Sequence, residues 1–80
     1  MKITNEYIDY VTDIMATQII EKIAKQKAIP QNDALKYLLS TKTYKLFLDK
    51  ESLLYTESVE YILDMLNAEE QGDILRLLEV

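Results

Sequence analysis

The sequence predicts an all-α fold, a small helical bundle with one long N-terminal helix packed by three to four shorter helices. Three observations predict it. Apolar residues recur at helical spacing over residues 5–28 and again over 57–67. One Gly and one Pro in 80 residues supply too little turn chemistry for an all-β chain. Hydrophobic residues make up 49% of the chain, which is enough for a core and too much for a disordered segment. At this length residues 1–80 form a single helical domain that buries only about two-thirds of its unfolded surface, so the core is thin.

The first helix is expected over residues 5–28. At about 100° per residue, Tyr7, Ile8, Val11, Ile14, Met15, Ile19 and Ile23 share one broad face, with Glu6, Asp9, Asp13 and Lys27 opposite. Thr4 or Asn5 suits the N-cap, acids suit the first turn, and Lys22, Lys25 and Lys27 suit the last. Pro30 breaks the helix, because its ring cannot continue the preceding turn and pushes Ile29 towards an extended conformation. A second helix over 31–39 groups Ala34, Leu35, Leu38 and Leu39. Ser40 or Thr41 then caps a third through about Asp49, with Tyr44, Phe47 and Leu48 on its inner face. Asp49–Ser52 reads as a polar loop, and Leu53 and Leu54 return the chain to the core. Thr56 is placed to cap a fourth helix, whose stripe is Val59, Ile62, Leu63 and Leu66 and whose wet face is Glu57, Glu60 and Asp64. Residues 69–80 fit either a short terminal helix or a frayed tail, since Gly72 weakens the join.

Charge is unevenly spread. The net charge of −5 divides into one Lys against four acids in residues 1–21, seven Lys against two acids in 22–50, and one Arg against eight acids in 51–80. The basic middle could meet an anionic partner, but mutual attraction of oppositely charged faces within the fold accounts for it more simply. The N-terminus lacks the apolar run of a signal peptide, and about 18 uninterrupted apolar residues occur nowhere, so no membrane span is expected and a cytoplasmic location is the default.

Chemistry is narrowly bounded. With no Cys and no His, the chain lacks thiolate chemistry, zinc–sulfur ligation and the commonest general base. The carboxylates Glu57, Glu60 and Asp64 line up at helical spacing, but the usual helical metal motif needs a histidine three residues on. No Tyr-x-x-x-Lys or Ser-x-x-Lys spacing occurs, and Gly72, alone, makes no phosphate loop. No enzyme activity, no cofactor and no metal is therefore expected.

Contact surface is what remains. Of the six tyrosines, Tyr7 and Tyr44 lie on apolar faces, whereas Tyr10, Tyr37 and Tyr61 fall off their stripes and are candidates for partner binding. Ile20 and Ala24, with Tyr10, lie on the far side of the first helix. Ile20 in particular is a large apolar group where a monomer would place a polar one. That second line predicts a helix-to-helix contact, most economically in a symmetric dimer, unless the shorter helices wrap round to cover it. A helix-turn-helix over 31–49 is the alternative reading, that of a nucleic-acid-binding regulator, disfavoured by a single arginine and by the acidic balance.

The run Ile29, Ala34, Leu38–Leu39, Ser40, Tyr44, Leu48–Asp49, Leu54–Tyr55, Glu57–Ser58 and Tyr61–Ile62 resembles small uncharacterised bacterial helical proteins, some similar to antitoxin-like partners encoded beside toxin genes. The resemblance implies a small bacterial partner-binding protein, and it carries no catalytic residues across.

Overall fold

The computed structural model describes residues 4–72 and is all-α over them. The four α-helices are α1 (Asn5–Lys27), α2 (Gln31–Leu39), α3 (Lys42–Leu48) and α4 (Val59–Glu70), with two single 3-10 turns, Lys50–Ser52 and Leu54–Thr56, between α3 and α4. The expected terminal helix or tail lies largely outside the described residues.

Local chemistry accounts for the boundaries. The Thr4 side chain accepts from the Tyr7 N–H at 3.1 Å and starts α1. Ala28 ends it in the left-handed conformation (φ 54°), and the Ile29 N–H closes back on the Ala24 carbonyl at 3.0 Å. That conformation is usually a glycine's, so its methyl group is accommodated at a cost. Pro30 opens α2 with its fixed φ and with a carbonyl that accepts from Asp33 and Ala34. α2 folds back along the C-terminal half of α1. Thr41 caps α3 by accepting from the Tyr44 N–H.

Four expectations need correction here. Ser58, not Thr56, caps α4, accepting from the Tyr61 N–H at 3.1 Å, while the Thr56 hydroxyl donates to the Leu53 carbonyl. Asp49–Ser52 is a hydrogen-bonded turn: the Asp49 carboxylate accepts from the Glu51 N–H, and the Ser52 hydroxyl donates to the Leu46 carbonyl at 2.6 Å. Leu53 adopts the left-handed conformation (φ 59°) and stays exposed, so only Leu54 reaches the core. On α3 the buried pair is Thr43 and Phe47, with Leu48 outside.

The core is a cluster of Ile19 and Ile23 from α1, Leu38 from α2, Phe47 from α3, Leu54, and the α4 residues Ile62, Leu63, Met65 and Leu66. α4 is the central element, burying six side chains in twelve residues. Each of the five larger ones, Ala68 aside, contributes about 1.5–3 kcal/mol through loss of apolar contact with water. No helix among the described residues is long and apolar enough to cross a membrane.

Candidate functional site

The structure separates two kinds of surface. The first is a set of polar ties at the C-terminal end of α4. The Glu69 carboxylate accepts from the Lys42 N–H at 2.9 Å and from the Thr43 N–H and hydroxyl, each at 2.8 Å. A side chain from α4 thus satisfies the open amides of the first turn of α3. Burial pushes the Glu69 carboxyl pKa up, but the two amides, the Thr43 hydroxyl and the Lys42 charge outweigh it and hold the group below its usual range. Next to it Glu70 pairs with Lys27 and accepts from the Tyr37 hydroxyl. The Lys27 hydrogen bond, then that of Tyr37, lowers the Glu70 pKa against a smaller effect of burial. The Lys27 ammonium also sits 4.6 Å from the Tyr37 ring centre. Burial first, then the Glu70 hydrogen bond and the charges of Glu70 and Glu69, pushes the Tyr37 hydroxyl well above its ordinary pKa. That leaves it a poorer acid, the opposite of what catalysis would need. A cleft of about 210 Å³ lies beside this cluster, between Ile23, Tyr37, Leu63 and Leu66.

The second surface is an uncovered apolar face. Tyr7, Tyr10 and Ile14 are 44%, 65% and 42% exposed. At three- and four-residue spacing they form one row on the N-terminal half of α1, in a part of the helix that carries Glu6, Asp9 and Asp13. Tyr7 and Ile14 were expected on the core face and are not there. Each sits one position before a buried residue, Ile8 and Met15, and so is turned about 100° from the core. The apolar arc of α1 is wider than its neighbours can cover. That excess width shows in the sequence, but not which of its residues stay open.

The other candidates are dispersed. Ile20 and Ala24 are half-buried and pack on the core, because α2 folds back over that side of α1; the line expected to be free is largely covered. A shallow groove of about 210 Å³ remains there between Thr17, Ile20 and Leu35. Tyr37 is half-buried and engaged by Lys27 and Glu70. Tyr61 is exposed, but on α4. Of the five residues, only Tyr10 belongs to the open row.

Part of the lysine-rich middle is met within the fold. Lys22 pairs with Glu60 at 3.4 Å, Lys50 with Asp9 at 3.2 Å, and Lys27 with Glu70, while Lys42 adjoins Glu69. Among the described residues no group of three or more carboxylates is placed to hold a metal ion, and Glu57, Glu60 and Asp64 are simply exposed.

Set against known proteins, the chain matches no protein-family model, no curated protein and no solved structure.

Proposed function

We propose that this chain is a non-enzymatic protein-interaction module, a small bacterial, cytoplasmic partner-binding protein of antitoxin-like kind, that engages its partner through α1. The observation that carries this reading is the row Tyr7, Tyr10 and Ile14, three large side chains left open on one helix. Tyrosine gives contact area at little entropic cost and is favoured at protein interfaces. A single helical face fits a groove on another protein through anchors at this spacing.

The nucleic-acid alternative finds less support. A recognition helix presents its N-terminal residues to the bases. At the start of α3, the second helix of the 31–49 segment, the amides are occupied by the Glu69 carboxylate, which places negative charge where a phosphate or base edge would approach.

The test is capture from the lysate of the native cell by the immobilised protein and by Tyr10→Glu and Ile14→Glu variants. A protein partner retained at physiological salt by the unaltered chain and lost with either variant is the expected result. Recovery instead of DNA or RNA, released steeply as salt rises and lost on replacing Lys42 and Lys45, would overturn the reading.

A further inference from the structure

The open face of α1 does not end at Ile14. Gln18, Glu21 and Lys25 continue the line and are exposed, bordering with Val59 and Glu60 of α4 a cleft of about 470 Å³, so a ridge accessible to solvent runs from Tyr7 to Lys25, about 27 Å at 1.5 Å per residue. Its ends differ in charge. Residues 5–16 carry Glu6, Asp9 and Asp13 and no lysine, whereas residues 17–27 carry Lys22, Lys25 and Lys27 against Glu21. Lys22 and Lys27 are engaged by α4, but among the described residues neither Glu6 nor Lys25 forms an ion pair within the chain.

We propose that a second copy of this chain docks on the ridge, α1 against α1, antiparallel about a two-fold axis near the middle of the helix. This rests on the reading of α1 as the interaction face and names its occupant. A parallel pair would set acids on acids and lysines on lysines. An antiparallel pair sets each acidic end against the basic end of the other copy and opposes the two helix dipoles. With the axis near residue 16, Lys25 of one copy falls beside Glu6 and Tyr7 of the other. There its ammonium can pair with the carboxylate and lie against the ring. Ile14 meets the aliphatic part of Gln18. The two contacts repeat by symmetry, as a closed dimer requires. One helix pair buries less than the roughly 800 Å² per partner of a standard stable interface, so the dimer is weak and forms with rising concentration.

Sedimentation equilibrium from low micromolar to millimolar concentration tests this, with circular dichroism confirming that each variant keeps its helices. The expected result is a monomer–dimer equilibrium that Ile14→Glu weakens about tenfold or more. Glu6→Lys and Lys25→Glu each weaken self-association too, and a mixture of those two chains restores it, since each lysine then faces a carboxylate. A monomer at millimolar concentration would overturn the proposal. So would a dimer indifferent to Ile14→Glu and Lys25→Glu, or a mixture no tighter than its components. If the chain is monomeric yet captures a different protein in a Tyr10-dependent way, the dimer falls and the broader interaction reading stands. If it does neither, both fall.

Discussion

The two halves of α1 have much the same amphipathic pattern and opposite fates. From residue 17 onward α2 and α4 pack on it, and even the off-stripe Ile20 and Ala24 become half-buried. Before residue 17 the neighbours among the described residues are the end of α3 and the turn region around Leu54, and Tyr7, Tyr10 and Ile14 stay open. Periodicity marks which side chains could be buried together. Which of them are buried depends on where the short helices come to rest, and α2, at nine residues, reaches back along only half of α1.

Substitutions on the two halves sharpen this contrast. Ile19→Ala, on the covered side, should cost about 2–5 kcal/mol, enough to unfold much of a domain this small. The matching Ile14→Ala should stay within about 0.5 kcal/mol. Urea titration followed by circular dichroism measures both, and equal losses would break the comparison.

A second effect lies at the α4 end. Glu69→Ala strips partners from the buried Thr43 hydroxyl and from two amides, and should cost about 1–3 kcal/mol. Acid should mimic it. Glu69 and Glu70 have pKa values held below the unfolded range, so their stabilisation is present above the unfolded value and is lost as pH falls through the folded one. A thermal midpoint that declines below about pH 4, less steeply in Glu69→Ala, is the expected profile. At the other extreme the raised Tyr37 pKa works in the opposite sense. Its contribution is complete below about pH 10, where an unfolded tyrosine begins to ionise, and is lost as pH rises further. Tyr37→Phe should flatten that alkaline limb.

The next effect in size should be a gain. Ala28→Gly relieves the methyl group at φ 54° at the end of the covered half and should add about 0.5–1 kcal/mol, visible as a raised urea midpoint with unchanged slope.

How far each feature was legible in the sequence follows from its range. The Thr4 cap, the Pro30 break and the Thr41 cap depend on residues within one turn of each other, and the chain adopts them as the pattern predicts. Thr56 and Ser58 are two hydroxyls two residues apart. Thr56 ends the 3-10 turn Leu54–Thr56 with its hydroxyl donated to the Leu53 carbonyl, and Ser58 caps α4; no composition signal announces that turn. The Glu69 tie to α3 joins residues 26 and 27 apart, and the Lys22, Lys27 and Lys50 pairs likewise need the packed bundle to define their partners. Of the open row on α1, Tyr10 was legible because it lies off the stripe. Tyr7 and Ile14 were not, because they are as apolar as the core residues beside them.

The grip of Glu69 on α3 has a kinetic meaning. Seven residues are too few for a helix to persist alone in water, so α3 has no independent life before α4 arrives to hold its first turn. The amides of Lys42 and Thr43 are then timekeepers for the whole bundle. In hydrogen exchange they should be protected only while α4 is docked, and should open together with the α4 core amides as one cooperative unit. The first amides of α1, at the uncovered end, should fray on their own schedule.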